Sequence, residues 1–304
     1  MSEQSRLTER IRRLATRRET AVQGSSVHSA GPQRDGIGPL GGLALAVVLS
    51  AQFVVVLDFS IVNVALPSIS RELHASSTSV QWVVTAYAIT FGGLLVLGGR
   101  AADLFGRRRL FVAGLAGFAV ASAAGGVAIN LPVLVVARAV QGVAAAAVAP
   151  AALSILTTSF ADGPARTRVL GWYGSMASVG FVAGLVVGGV LVEAVGWRGV
   201  FFVNVPLCLL GAAVSPRIVP AGAPGTMRPH LDLMGACLVT AGVATLVYAP
   251  TAGVDAGWTS ASFFVALAVS GVLLTAFVLR ERGARSRSCR CRSSGPARSR
   301  PATG

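Results

Sequence analysis

Apolar residues in this chain gather into eight long runs separated by short polar breaks: Leu43 to Leu66, Val80 to Gly98, Leu110 to Ile129, Pro132 to Leu156, Val169 to Val192, Val200 to Val214, Leu233 to Ala249 and Ala261 to Leu279. None shows the strict two-residue alternation of a half-buried strand, and most approach the roughly 20 residues that a helix needs to cross a bilayer. The pattern predicts about eight membrane-spanning helices. Composition agrees: 53% of the residues are hydrophobic, 12% are charged, and the mean hydropathy is +0.69, which leaves too little polar surface to coat a soluble globule. The expected fold class is therefore an all-α integral membrane protein.

Charge orients these helices. All 26 basic residues are arginines, seven of them before residue 35 and eight from Arg280 onward. Between the runs, the second break carries Arg100 with Arg107, Arg108 and Arg109, the fourth Arg166 and Arg168, and the sixth Arg217 and Arg228, whereas the odd-numbered breaks carry only Arg71 and Arg198. Cytoplasmic loops hold the arginine excess, so eight spans with both termini cytoplasmic form a self-consistent topology in the cell membrane. Residues 1–39 read as a disordered basic cytoplasmic tail rather than a cleavable signal, because the first apolar run begins late, is too long and lacks a small-residue exit. The net charge of +14 finds no polar folded domain to serve, which argues against nucleic-acid binding.

Ionisable groups inside spans are costly and default to a functional reading. Asp58 lies eight residues before Leu66 and Arg138 six residues after Pro132. At 1.5 Å per residue both sit roughly 9 to 12 Å below the outer boundary, so they meet if the first and fourth spans are neighbours. Gln141, three residues after Arg138, shares its helix face. Burial disfavours the ionised form of Asp58 and the adjacent cation favours it, so small movements would switch its proton, as a proton-coupled carrier requires. A permanent ion pair that clamps two helices fits the same residues.

Several motifs share a resemblance. Gly99-x-x-x-Asp103-x-x-Gly106-Arg107-Arg108-Arg109 after the second span resembles the signature loop of the major facilitator superfamily. Leu57-Asp58 through Pro67 resembles the first-helix motif of its fourteen-helix drug/proton antiporters, and Arg138-Ala-Val-Gln141-Gly142 resembles the superfamily's fourth-helix motif, whose arginine is implicated in proton transfer. In the fifth span, Gly171, Gly180, Gly184, Gly188 and Gly189 match the spacing of the antiporter motif, whose glycines form a packed, leak-tight interface; small residues at four-residue spacing give a mechanical reason as well. Leu185 replaces the proline usual after the third of these glycines, which puts the family's kink in doubt. Trp197-Arg198-Gly-Val-Phe201-Phe202-Val-Asn204-Val-Pro206 also resembles this branch.

The resemblance implies a major facilitator fold: a six-helix half at 40–216, two additional helices at 217–280 and a basic tail at 281–304. A complete member of that branch has a second six-helix half, so the chain reads as C-terminally truncated. Arginine, serine and cysteine codons of Arg287 to Gly295, read one base out of frame, yield a proline- and leucine-rich segment, which suggests a frameshift near residue 286. The Arg107–Arg109 cluster reads as a gate that pairs with Asp103 or anionic lipid, or as a topogenic anchor. Trp82, Trp172, Trp197 and Trp258 fall near span ends, where an aromatic belt belongs, and Glu193 reads as interfacial.

Proton-driven export of hydrophobic or cationic small molecules follows as the expected function. The alternatives are a dedicated exporter of a native metabolite or antibiotic, and a truncated fragment that does not transport. No nucleophile, base and orienter cluster suggests an enzyme, and no phosphate-cradling loop suggests an ATP-driven pump. No cofactor or metal is expected, Cys289-Arg-Cys291 being poor in accompanying ligands. Expected partners are the substrate, protons and the lipid bilayer, not nucleic acid.

Overall fold

A computed structural model describes residues 40–220 and 233–290. The tail at 1–39, Arg228 and the stretch from Cys291 lie outside the described residues, as do the side chains of 281–290; the expectations placed on them, including the frameshift and the Cys289–Cys291 pair, fall there too. Ten helices make up the described part: α1 (Gly42–Glu72), α2 (Ser77–Val80), α3 (Trp82–Phe105), α4 (Arg107–Gly126), α5 (Leu131–Ser159), α6 (Pro164–Val195), α7 (Trp197–Phe202), α8 (Asn204–Ile218), α9 (Leu233–Ala256) and α10 (Ala261–Arg290).

By length and composition, seven segments can cross a membrane: α1, α2 with α3, α4, α5, α6, α7 with α8, and Ala261–Arg280 of α10. A shorter apolar stretch, Cys237–Pro250 in α9, occupies the position of the seventh expected span. Most helices overrun their apolar runs by a turn or more. Hydropathy marks the hydrocarbon core, whereas backbone hydrogen bonding carries a helix on into the interface.

Two local features decide where helices stop. Gly106 has φ +92°, a conformation that costs glycine little, and it alone separates α3 from α4. The break expected from Gly98 onward thus shrinks to one residue, and Gly99 and Asp103 lie on the last turns of α3. Between α7 and α8 the break falls at Val203; Pro206 has no N–H to give the Phe202 carbonyl, so the helical ladder is interrupted there.

Packing is dense around α1 and α5. Helix α1 lies along α6 and also touches α5 and α8, while α5 packs on α3, α4 and α1. Helix α9 rests on α3 and α10. Buried apolar residues form two clusters. One takes Ala44 to Val55 of α1 with Phe111, Phe118, Val148, Leu156 and Phe160; the other takes Leu57 to Ile69 with Val83, Leu134, Trp197 and Phe201. On α1 the seam between them passes Asp58, and on α5 it falls between Leu134 and Ala144, where Arg138 and Gln141 lie.

Polar ties mark the two ends of the bundle. At one, Arg108 Nη1 donates to the carbonyls of Pro216, at 3.1 Å, and Val219, at 3.3 Å, capping the end of α8. At the other, Glu72 accepts from Trp197 Nε1 at 2.7 Å and pairs with Arg198, whose guanidinium also reaches the Ala128 carbonyl and stacks on the Trp197 ring. Trp197 is fully buried, so it is an internal anchor and not part of an exposed belt. Glu193 is exposed at the end of α6, on the same side.

Candidate functional site

Asn130 starts the element that carries the site: its side chain accepts the Val133 N–H at 3.0 Å and caps α5. Two turns further on, Arg138 points into the bundle rather than to its surface. Gly142 makes this possible, because a Cβ there would collide with the Thr90 hydroxyl and come within 2.6 Å of the Tyr87 carbonyl. The resulting close approach of α5 to α3 lays the Tyr87 ring against the guanidinium, 4.3 Å from centroid to Cζ.

Asp58, Arg138 and Gln141 meet in one fully buried cluster. Arg138 Nη1 donates to Asp58 Oδ2 at 2.6 Å and to Gln141 Oε1 at 2.9 Å, and Arg138 Nε donates to the Val83 carbonyl at 3.0 Å. Gln141 Nε2 donates to Asp58 Oδ1 at 2.8 Å and lies 2.6 Å from Ser122 Oγ. Asn204 Nδ2 donates to the same Asp58 oxygen at 2.7 Å. The carboxylate therefore takes hydrogen bonds from three side chains on two other helices, with α3 and α4 supplying the Val83 carbonyl and the Ser122 hydroxyl. A charge removed from water is tolerable only when paired and hydrogen-bonded in this way.

Asn204, noted along the chain only as part of the Trp197–Pro206 motif, and Ser122 were not expected in this cluster. The available signal was the one that found Asp58, a polar residue in or beside an apolar run, but uncharged residues are common enough in membrane helices to carry little weight alone. Chain folding brings them in from 146 and 64 positions away in numbering, the differences 204 − 58 and 122 − 58.

The α6 glycines divide. Added Cβ atoms at Gly180 and Gly188 would come within 2.7 Å of the Phe53 carbonyl and 2.9 Å of Ile61 Cγ1; one at Gly184 would collide with the Ser60 hydroxyl. These three form a stripe pressed on α1, immediately around Asp58. Gly171 and Gly189 meet nothing within 4 Å and take no part in that contact. Helix α6 itself runs unbroken through Leu185 from Pro164 to Val195.

The arginine cluster is also split. Arg107 pairs with Asp103 at 3.4 Å within one helical turn, Arg108 caps α8, and Arg109 is exposed. At Gly99 the nearest atom to an added Cβ is Pro150 Cβ at 3.9 Å, an ordinary contact. The tight glycine is its neighbour: Gly98 faces the Ala146 carbonyl so closely that no side chain fits.

The chain is similar to known proteins over most of its length. The chain is 47% identical over 239 residues to the puromycin resistance protein pur8 of Streptomyces alboniger, covering 78% of this chain and 47% of that one. It is 44% identical over 244 residues to the cephamycin export protein CmcT of Amycolatopsis lactamdurans, covering 78% and 49%. It thus spans about half the length of the curated relatives it matches. A crystal structure of the peptide transporter POT in complex with sulfate superposes with TM-score 0.56 over 76% of this chain and 51% of that one; at 15% identity, this likeness concerns the fold alone. Residues 48–288 match the family described as Major Facilitator Superfamily, and the chain belongs to that family.

Proposed function

We propose that this chain forms the N-terminal six-helix half, residues 40–216, and the two additional helices, residues 217–280, of a proton-coupled exporter of hydrophobic or cationic small molecules, with both termini cytoplasmic. The single observation that carries the reading is the Asp58–Arg138–Gln141 cluster, which is fully buried and shared between helices, in a chain that belongs to a transporter family. Three donors satisfy a permanent clamp equally well, and it is membership of a transporter family that favours the carrier.

In this reading Asp58 takes up a proton from one side and yields it to the other, and the Arg138 charge and the Gln141 amide set the ease of that exchange. The tight stripe of Gly180, Gly184 and Gly188 against α1 keeps ions from slipping past the site. Gly171 and Gly189 take no part in that seal. At the far end Asp103 and Arg107 pair, Arg108 couples the start of α4 to the end of α8, and Gly99, Gly106 and Arg109 complete a gate that rearranges when access changes. Acting on the chemical identity of its cargo is not part of this reading, so the chain is a carrier and not an enzyme.

Dye efflux from cells expressing the chain tests it, with and without a protonophore and with Asp58→Asn alongside. Efflux that a protonophore abolishes and Asp58→Asn removes supports a proton-driven exporter. Efflux indifferent to both overturns it. The printed names of two relatives, which concern puromycin resistance and cephamycin export, favour a second reading as a dedicated antibiotic exporter. Competition among unrelated dyes separates the two, since a dedicated exporter ignores them. Absence of any efflux leaves a fragment that does not transport.

A further inference from the structure

Two buried polar atoms in the central cluster have no hydrogen-bond partner: Arg138 Nη2 and Asn204 Oδ1. The second is the more informative, because the other atom of the same amide, Nδ2, lies 2.7 Å from Asp58 Oδ1. A buried amide with one atom unpartnered calls for a reason, and a second bonding state of the site supplies one.

We propose that Asn204 is a positioning residue that serves both protonation states of Asp58. In the ionised state its Nδ2–H donates to Asp58 Oδ1, as the structure shows. When a proton from water binds that oxygen, the carboxylate becomes a carboxylic acid whose O–H must donate. The atoms then in reach constrain the choice. Gln141 Oε1 already accepts from Arg138 Nη1 and the Val83 carbonyl from Arg138 Nε, whereas Asn204 Oδ1 accepts from nothing. A half-turn of the Asn204 amide about its last side-chain bond exchanges Nδ2 for Oδ1 and presents a free acceptor at the same place. No covalent bond other than the new O–H forms, and each state leaves one atom of the Asn204 amide without a protein partner, so neither is favoured on that count.

Charge around the site permits the change. Among the described residues, the titratable groups facing Asp58 are Arg138 from α5, Tyr87 from α3 and Cys208 on the same helix as Asn204, while α4 brings the Ser122 hydroxyl to Gln141. After Asp58 is neutralised, Arg138 keeps the Val83 carbonyl, Gln141 Oε1 and the face of Tyr87. The guanidinium thus stays held while the acid changes partner. Asn204 sits at the first turn of α8, beside the break at Val203, where a small rotation of the helix start moves its amide relative to α1.

This inference rests on the reading of Asp58 as a proton-binding group, but its test does not require transport. Purified chain in lipid nanodiscs is titrated by infrared difference spectroscopy, and the carbonyl band of the protonated acid that vanishes in Asp58→Asn is assigned to Asp58. Hydrogen bonds to a charged group are about twice as strong as neutral ones, so Asn204→Leu, which is close in size and apolar, is expected to move the midpoint of that band upward by roughly one pH unit and to raise its frequency. Asn204→Ser, whose hydroxyl both donates and accepts, is expected to fall between Leu and Asn. A band with unchanged midpoint and frequency in Asn204→Leu overturns the proposal, and so does the lack of any Asp58 band over the range in which the helices persist. If Asn204→Leu does not fold by circular dichroism and gel filtration, the Ser variant decides by the same two readings. A band that depends on Asn204 in a chain whose dye efflux ignores the proton gradient sinks the transport reading and leaves this one standing.

Discussion

Arg138 on α5 holds Asp58 on α1 at 2.6 Å with neither side chain exposed to solvent. Such a pair is more expensive to break than to remove, since losing one partner strands the other charge in a dry interior. Arg138→Leu is expected to destabilise the folded chain by about 3–5 kcal/mol, and Asp58→Asn by less, because the amide still accepts from Arg138. The double variant Asp58→Asn with Arg138→Leu should recover much of the loss. Thermal unfolding in lipid nanodiscs measures all three, and equal losses in the single and double variants would contradict the arrangement.

Gly184→Val forces a side chain into the Ser60 hydroxyl, which can rotate, and against the Leu57 carbonyl, which moves only if α1 is displaced. Overpacking of this sort costs about 1–3 kcal/mol. Gly189→Val, five positions on and open to space, should leave the melting temperature unchanged. A cysteine pair across α1 and α6 gives a second reading, with slower cross-linking expected in the Gly184 variant only.

Gly106→Ala places a Cβ at φ +92°, where L residues are strained, and is expected to cost about 1 kcal/mol or more. Gly98→Ala should cost more than that, because its new methyl would strike the Ala146 carbonyl, whereas Gly99→Ala should be close to neutral. The order Gly98, Gly106, Gly99 in loss of stability is the checkable outcome, read from midpoints of heat denaturation.

Arg108→Ala removes two hydrogen bonds to the last carbonyls of α8 and is expected to destabilise by about 1–2 kcal/mol, while Arg109→Ala, whose side chain is exposed, should change stability little. Amide hydrogen exchange at the end of α8 should quicken in the first variant and not in the second. Equal effects would mean that the cluster acts by its net charge rather than through Arg108.

Much of the fold was legible along the chain, since helix formation inside a bilayer depends on local hydropathy and on the arginines that stay in water. The runs from Leu43 to Leu66 and from Pro132 to Leu156 became α1 and α5 with added turns, and Asp58 and Arg138 stood out because charge in an apolar run is rare. Helix ends were less legible. The end of α3 is set by one backbone angle at Gly106, and the α7–α8 break by a missing N–H at Pro206, neither of which a hydropathy average senses.

Beyond the meeting of Asp58 with Arg138 and Gln141, which their depth and helix face anticipated, which residues touch was decided by tertiary structure. Five glycines looked alike by spacing on α6, yet only Gly180, Gly184 and Gly188 meet α1, because a helix packs one face and turns the others away. Arginines 107, 108 and 109 are identical letters with different work, set by where the end of α8 falls. Asn204 and Ser122 join Asp58 only once α8 and α4 close around α1 and α5. Local sequence determines which segments become helices and which side chains are too polar to face lipid. Partners distant in the chain are chosen by packing, since the geometry of a shared hydrogen bond depends on all the helices that bring its atoms together.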